Sequence, residues 1–137
     1  MKILIPYKRL WVLVLLLSAT SYSQITNTIV KAKIETEEID GNVKITGTAE
    51  NLSDILQSLT YKLSVIKKSN LNDNQSSNLQ EGLFTLDPSE TKKLSETQIN
   101  LEKDVEIIVL LLFYDENQQM IGKDRIVIGE EKKKRRS

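Results

Sequence analysis

Hydrophobic and polar residues alternate with a period of two along two neighbouring segments near the start of the chain. The first alternating run extends from Val30 to Glu37 and the second from Val43 to Glu50, with Asp40 and Gly41 between them. This period predicts strands with one buried face, and Asp-Gly is a dipeptide that two-residue type I′ hairpin turns favour. Such a turn pairs residues whose numbers add up to 81, so that Thr36 faces Ile45, Ile34 faces Gly47 and Ala32 faces Ala49. Both apolar stripes then lie on one face, and we therefore predict an antiparallel hairpin in this register.

Five further extended segments follow the predicted hairpin. We place them at Leu59–Lys68, Leu79–Leu86, Lys92–Leu101, Val105–Tyr114 and Met120–Ile128. The polar segment from Ser69 to Asn78 is predicted as a mobile loop, Gly82 as a bulge or kink in its strand, and the mostly polar fifth strand as an edge strand or a strand on a solvated sheet face. Seven short strands with turn signals between them predict an all-β fold, a seven-stranded immunoglobulin-like β-sandwich.

The most apolar segment after the first 23 residues is Val105–Tyr114, in which apolar residues occupy both alternating sets of positions. Such a strand is central and covered on both faces, or it is covered on one face and meets a partner on the other. In either arrangement Val109 lies in the core, and we expect Val109→Asp to unfold the protein.

The first 23 residues have the composition of a secretory signal peptide. Lys2, Lys8 and Arg9 precede an apolar run from Leu10 to Leu17, and small residues at Ser21 and Ser23 suit a cleavage before Gln24. The run is much shorter than the roughly 20 residues that span a bilayer. We therefore expect export and no stable membrane insertion after cleavage, with an uncleaved anchor as the alternative.

The charge balance differs between the parts of the chain. The full sequence of 137 residues has 19 basic and 19 acidic side chains, whereas the predicted domain, residues 24–130, has 11 basic and 18 acidic ones. This acidic domain argues against nucleic-acid binding. The tail, residues 131–137, contains five consecutive basic residues from Lys132 to Arg136. It is either a solvated, disordered end or an electrostatic contact for an acidic partner or anionic lipid.

The residue types limit the chemistry that the chain can support. It has no His and no Cys, which excludes disulfides, thiol or imidazole catalysis and the usual zinc ligands. The carboxylates form no recognisable catalytic motif, and two acidic segments near Asp73 and Asp115 lack the ligand spacing of a calcium loop. We therefore expect a binding module that is not an enzyme and that takes no cofactor or metal.

A sandwich of this kind exposes strand edges, to which an extended chain can bind by strand addition. The predicted strands carry five lysines that could lie at such edges: Lys62, Lys67, Lys68, Lys92 and Lys93. These side chains either protect the edges against self-association or contact an incoming, unfolded β-strand and disturb its stacking.

The middle of the chain adds a family resemblance. The segments Tyr61–Lys67 and Asn74–Phe84, the residues Leu86, Pro88, Leu94 and Ser95, and the later segments Leu112–Asp115 and Ile121–Asp124 carry it. With them the chain resembles the curli-associated amyloid inhibitors of the CsgC/CsgH type, and CsgH more than CsgC, over Ile25–Ile128. The same block is similar to the N-terminal region of CsgE-like curli accessory proteins of Bacteroidetes.

This resemblance implies a chaperone-like inhibitor in the periplasm of a Gram-negative bacterium, of the Bacteroidetes group. The implied client is an unfolded, Gln/Asn-rich curli-type amyloid subunit, kept from polymerising before secretion, and other curli secretion components are possible partners. Candidate shared positions are Tyr61, Lys67, Asn78, Gln80, Gly82 and Phe84. Tyr61 and Phe84 are expected in the core, whereas Asn78 and Gln80 either pair with backbone in the loop or contact the client. The CsgC branch carries a Cys-X-Cys element that this chain lacks, which excludes a redox role.

A second function stays open at this point. The same sandwich could be a non-catalytic adhesion module, or an accessory module of curli secretion, at the cell envelope. Inhibition of the fibre formation of a curli subunit would distinguish the chaperone from both.

Overall fold

The computed structural model describes residues 25–129, and these residues form seven antiparallel strands and no helix. The strands are β1 (Val30–Ile39), β2 (Asn42–Asn51), β3 (Gln57–Ser69), β4 (Gln75–Leu86), β5 (Thr91–Asn100), β6 (Val105–Tyr114) and β7 (Met120–Gly129). One sheet has the strand order β1-β2-β5 and the other the order β4-β3-β6-β7. The two sheets pack face to face around one apolar core, so the predicted all-β, two-layer fold is confirmed.

The first hairpin has the register that the sequence predicts. Thr36 pairs with Ile45, Ile34 with Gly47 and Ala32 with Ala49. Asp40 and Gly41 have φ angles of 48° and 83°, the left-handed values that both central residues of a type I′ turn need. The charged side chains between the apolar positions consequently lie on the solvent face.

The strand β6 lies inside its sheet, between β3 and β7, and has one buried and one half-buried face. Val109 is completely buried, as are Leu111 and Phe113, whereas Leu110 and Leu112 lie half-buried on the outer face. The strand β6 is thus covered on one face only, and among the described residues no element covers the outer face. A partner on that outer face, the other part of the second predicted arrangement, stays a prediction.

Two predictions about the segment around β4 are wrong. Gln75–Asn78 belongs to a strand rather than a loop, because these residues pair with Val65–Lys68 at the end of the long strand β3. Gly82 makes neither a bulge nor a break, since the β3–β4 register runs through it without a shift. A Cβ atom at Gly82 would lie 3.2 Å from Cε1 of its cross-strand partner Tyr61, so the glycine makes room for an aromatic ring.

Three aromatic rings contact one another in and beside the core: Tyr61 on β3, Phe84 on β4 and Phe113 on β6. The ring of Phe84 lies edge-on to Phe113 at 5.3 Å between centroids, and Tyr61 lies 6.1 Å from Phe84. Phe84 is buried and Tyr61 packs against the core partly buried, which agrees with the expectation for both residues. Such edge-to-face contacts contribute roughly 0.5–1.5 kcal/mol each beyond the burial of their surface.

The predicted signal peptide, residues 1–23, and the basic tail, residues 131–137, lie outside the described residues. Their interpretation therefore stays a prediction. Between residues 25 and 129 no helix is long and apolar enough to span a membrane.

Candidate functional site

Four strand edges border the two sheets, and the pair β1 and β7 closes one side of the sandwich. The backbone amide of Ile34 on β1 donates to Asp124 Oδ2 on β7 at 2.7 Å. The amide of Ala32 donates to Asn27 Oδ1 at 3.0 Å, and Asn27 Nδ2 donates to the carbonyl of Lys123 at 2.9 Å. These side chains satisfy edge groups of β1 that an incoming strand would need. We conclude that this side does not offer a free edge.

The edge of β5 is protected in a different way. Leu94 is an extra residue between Lys93 and Ser95 in the pairing with β2, and bulges of this kind interrupt edge pairing. Lys93 forms an ion pair with Glu96 at 3.0 Å. The hydrogen bond from Lys93 and its positive charge, together with the charge of Lys44, hold the pKa of Glu96 below its ordinary value. The edge thus carries the charges and the irregularity that discourage strand addition.

The edge of β4 has none of these devices among its 12 residues. Its sequence contains one charged residue, Glu81, and no proline, and its register with β3 is regular from Gln57↔Leu86 to Lys68↔Gln75. Regular, weakly charged edges are the ones to which other strands add. Among the four edges, β4 is therefore the candidate site.

The hydrogen bond of Lys92 shows which backbone groups of β4 are available. Lys92 Nζ on β5 donates to the carbonyl of Thr85 at 2.8 Å, so this carbonyl points away from β3. Because N–H and C=O of one residue point to the same side in an antiparallel strand and alternate along it, the residues of the same parity present theirs to the open edge. These are Gln75, Ser77, Leu79, Glu81 and Leu83. Lys92 blocks only the Thr85 end of the row.

A cleft of about 890 Å³ lies between the ends of β4 and β5. Tyr61, Gly82 and Phe84 line one wall, and Lys92 and Leu94 lie on the β5 side. The cleft has an apolar floor and a rim of mixed charge next to the open backbone edge, with Lys92 and Lys93 on β5 and Asp115 and Glu116 in the loop after β6. It could receive a side chain of a strand that pairs with β4.

The predicted partner-binding lysines do not share one location. Lys62, Lys67 and Lys68 belong to β3, which lies between β4 and β6 and is not an edge strand. Lys67 forms an ion pair with Glu102 at 3.3 Å, and Lys62 Nζ lies 5.3 Å from the centroid of the Tyr114 ring. An edge position is thus wrong for these three residues, and it is observed only for Lys92 and Lys93.

The other two predicted contacts lie on β4 itself. Asn78 pairs with Val65 and Gln80 with Leu63. Since Val65 and Leu63 face the core, Asn78 and Gln80 lie on the inward side of β4, where Asn78 is exposed and Gln80 half-buried. The loop position that was one alternative for them is wrong, because both belong to β4, which begins at Gln75, four residues before the predicted start.

Sequence reasoning missed the side chains that close the β1–β7 side. Asn27 and Asp124 are 97 positions apart in the sequence, so no local pattern connects them. The only local signal is the type of Asn27, since Asn tolerates its φ of 63°.

The described residues show no other chemistry at this site. Between residues 25 and 129 there is no group of three or more His, Cys, Asp or Glu side chains that could hold a metal ion. What the arrangement offers is backbone pairing along β4 and an apolar cleft whose rim carries both cations and carboxylates.

Comparisons with known proteins give the fold a context. Neither a protein-family model nor a curated protein sequence matches the chain, but solved structures do. The E. coli curli protein CsgC superposes with a TM-score of 0.58 at 11% identity, over 70% of this chain and 96% of that one. R. palustris CsgH superposes with a TM-score of 0.53 at 17% identity, over 77% of this chain and 96% of that one.

A third similar structure is a Bacteroides uniformis β-glucuronidase, with a TM-score of 0.52 and 11% identity over 74% of this chain. The chain spans only 14% of the length of that enzyme, so the likeness concerns one part of it. Because the same fold occurs in proteins of different activity, it does not decide the function. The comparisons do bear out the structural side of the sequence resemblance: this chain has a fold of the CsgC/CsgH type.

Proposed function

We propose that this protein is a periplasmic, chaperone-like inhibitor that keeps curli-type amyloid subunits from polymerising before secretion. The observation that carries the proposal is the edge of β4, which is long, regular and weakly charged, while the other three edges are closed or protected. The CsgC/CsgH-type fold supports the same assignment.

The mechanism follows from how amyloid grows. Fibrils add identical strands to an exposed edge in register. A client segment that pairs with the open backbone groups of β4, from Gln75 to Leu83, has one of its own edges occupied. It also joins a sheet whose opposite edge, β7, is closed by its contacts with β1. Such a pairing interrupts nucleation without any chemical change in the client.

The charges of the site would keep this contact transient. Lys92 stands at one end of the row, and the predicted domain is acidic overall. Asn78 and Gln80, on the cleft side of β4, match the amide-rich side chains of a Gln/Asn-rich client by hydrogen bonding. Lys62, Lys67, Lys68 and Lys93 would contribute through the electrostatic potential around the site rather than as edge contacts.

We assign the sandwich to the immunoglobulin-like class as part of the proposal. The orders β1-β2-β5 and β4-β3-β6-β7 differ from the constant-type domain in one strand, because the fourth strand pairs with the third rather than with the fifth. The remaining parts of the proposal are export by the predicted signal peptide and the absence of a catalytic role.

The experiment is a fibre-formation assay with the curli-type subunit of the same organism, followed by amyloid dye fluorescence. We expect the purified protein to lengthen the lag time at equimolar ratio or below. An unchanged lag time would refute the inhibitor function and would favour the alternative of an adhesion or secretion accessory module.

Two variants locate the site. Ser77→Pro removes an N–H group that points to the open edge and is not paired with β3, a position at which edge strands tolerate proline. We expect it to shorten the lag time towards that of the client alone while the melting temperature changes little. Ser77→Ala, which removes only the hydroxyl, should inhibit like the parent protein. Full inhibition by Ser77→Pro would show that β4 is not the edge that binds.

A further inference from the structure

The two outer faces of the sandwich differ strongly in chemistry. On the three-stranded sheet, the outward positions carry only Lys, Glu, Gln, Asn and Thr, apart from Ile39 next to the hairpin turn. On the four-stranded sheet, apolar side chains remain outside: Leu83 is 85% exposed, Leu79 54% and Val127 43%. A solvated sheet face is normally polar, and an apolar one marks an interaction surface.

The centre of this apolar face is a line of four side chains on β6, which we call the β6 ridge: Ile108, Leu110, Leu112 and Tyr114. All four alternate with core residues and are half-buried. From Ile108 to Tyr114 the ridge is about 20 Å long at about 3.3 Å per residue. This length corresponds to about 13 residues of α-helix at 1.5 Å per residue.

Cations lie on both sides of the ridge. Leu112 pairs with Lys62 on β3 and with Lys123 on β7, and Leu110 pairs with Arg125 on β7. The whole face has four basic residues, Lys62, Lys68, Lys123 and Arg125, and two acidic ones, Glu81 and Glu106. The described residues together have 11 basic and 17 acidic side chains. A positively charged face on this acidic part of the chain requires an explanation.

These cations are available to a partner. Among residues 25–129 the ion pairs are Lys33–Glu35, Lys44–Glu37, Lys67–Glu102 and Lys93–Glu96, and none of them includes a cation of this face. Lys62 lies over the ring of Tyr114, at the end of the ridge.

We propose that the β6 ridge binds an amphipathic helix of another polypeptide, with acidic residues on both sides of its apolar stripe. The cations on β3 and β7 are two strand spacings apart, about 9.6 Å, which matches the helix diameter of about 10–12 Å. A helix laid along the ridge would place its flanking carboxylates next to Lys62 on one side and Lys123 and Arg125 on the other. The charge of the face disfavours a second copy of the same face, because equal charges would meet.

The width of the ridge favours a helix over a second sheet. A packed sheet needs a continuous apolar surface across several strands, but Lys62, Ser64, Lys123 and Arg125 flank the middle of the ridge on both neighbouring strands. Of the other exposed apolar side chains, Leu79 and Leu83 lie on β4, beyond Ser64 and Thr60 of β3, and Val127 borders only the Ile108 end of the ridge. This inference does not depend on the edge of β4. Helix binding at the β6 ridge and inhibition of fibre formation through β4 can each succeed or fail without the other.

The test uses the purified protein and two labelled 16-residue helical peptides in a fluorescence-anisotropy titration. Both peptides have the same leucine stripe, and it is flanked by Glu in one and by Lys in the other. We expect the Glu peptide to bind at least tenfold more tightly than the Lys peptide, and its circular dichroism to show more helix when bound. No saturable binding at millimolar concentration, or equal binding of both peptides, would overturn the proposal.

Charge reversals of equal size locate the contact. Lys123→Glu with Arg125→Glu should weaken binding of the Glu peptide at least tenfold, whereas Lys31→Glu with Lys33→Glu, on the opposite outer face, should change it less than twofold. Leu112→Ser, which leaves the charge unchanged, should also weaken it at least tenfold. Equal effects of the two reversals would mean that net charge alone acts, and the proposal would fail.

Two further measurements identify other occupants. Vesicles of phosphatidylcholine and phosphatidylglycerol that bind the protein through Lys123 and Arg125, without discrimination between the peptides, would assign the face to a membrane. A concentration-dependent dimer in sedimentation that Leu112→Ser abolishes would assign it to a second copy. Either result would overturn the helix proposal.

Discussion

Asn51 is the only buried polar or charged residue among the described ones, with 1% of its surface exposed, and it connects both sheets. Its amide Nδ2 donates to three carbonyls, those of Ile55 at 2.8 Å, Asp87 at 3.1 Å and Leu86 at 3.2 Å. Its Oδ1 accepts from the amide and the hydroxyl of Ser53, at 2.9 and 2.7 Å. One side chain thus holds the end of β2, the loop before β3 and the end of β4.

Asn51→Asp keeps the shape of the side chain and removes its donors. A carboxylate oxygen would then face three carbonyl oxygens in a buried place. A buried polar group left unsatisfied costs about 1–3 kcal/mol, and the two N–H groups of the amide serve these carbonyls. We therefore expect a loss of about 3–5 kcal/mol in the free energy of unfolding, a large part of the roughly 5–15 kcal/mol of a typical domain.

The loss should depend on pH, with a sign that follows from proton linkage. Burial next to carbonyl oxygens raises the pKa of the new carboxyl in the folded state above its unfolded value of about 3.9. The folded variant then binds more protons than the unfolded one, so its stability falls as the pH rises between these two pKa values, by up to about 1.4 kcal/mol per pH unit. The difference from the parent protein should be larger at pH 8 than at pH 5.

Urea denaturation at both pH values measures this effect. Asn51→Ala removes the hydrogen bonds without adding a charge, and it should lose about 2–3 kcal/mol independently of pH. Asn100→Asp, an exposed change on β5, should stay within about 0.5 kcal/mol of the parent. Parental stability of Asn51→Asp, or a loss that is the same at both pH values, would refute the role of the buried amide.

Three further predictions concern the core and the surface. Val109→Asp places a charge at a fully buried position and should unfold the protein in a thermal scan, whereas Leu110→Asp, on the outer face of the same strand, should remain folded; a folded Val109→Asp variant would contradict the assigned core. Gly122→Ala should lower the free energy of unfolding by about 1–3 kcal/mol, because the new Cβ would lie 2.6 Å from Cδ2 of Phe113. In the control Gly47→Ala the new Cβ has only ordinary contacts, the nearest at 3.5 Å, and stability should hardly change. Equal melting temperatures of the two variants would argue against the Phe113 contact. Lys93→Met should raise the pKa of Glu96 towards its ordinary value in an NMR titration. A lowered pKa in the folded state contributes stability that is complete above the ordinary pKa and is lost as the pH falls through the lowered one, so the variant should lose less stability than the parent on acidification. An unshifted titration would show that the Lys93–Glu96 pair does not form in solution.

The first hairpin and the strand β6 were predictable because their signals are local. Asp40-Gly41 fixes the turn, and the period of two fixes which residues of Val30–Ile39 and Asn42–Asn51 are inside. The bounds of β6 follow from its apolar run, which the structure has at the same residues, Val105–Tyr114. The start of β4 was not predictable in this way, because Gln75–Asn78 has the composition of a loop and is a strand only through its pairing with β3.

The candidate site, too, was predictable where its signals are local and not where they depend on distant segments. The residue types that suit strand binding could be named from the sequence, but which strands form the edges depends on pairings between distant segments. Lys62, Lys67 and Lys68 could have been at an edge as far as the sequence shows, but they lie on an internal strand because β3 pairs with both β4 and β6. The role of Asp124, whose carboxylate occupies the edge of β1 from 90 positions away, has no signal in the sequence around it.

The sequence by itself determined that this protein is built of strands, how its first hairpin is registered and which side of each strand is apolar, since these properties depend on neighbours within about ten residues. Only the tertiary structure decided which edge stays open and which outer face stays apolar. The reason is that side-chain alternation assigns a residue to a face of its strand, whereas the position of the strand in the sheet, and what covers that face, are set by contacts between segments far apart in the chain.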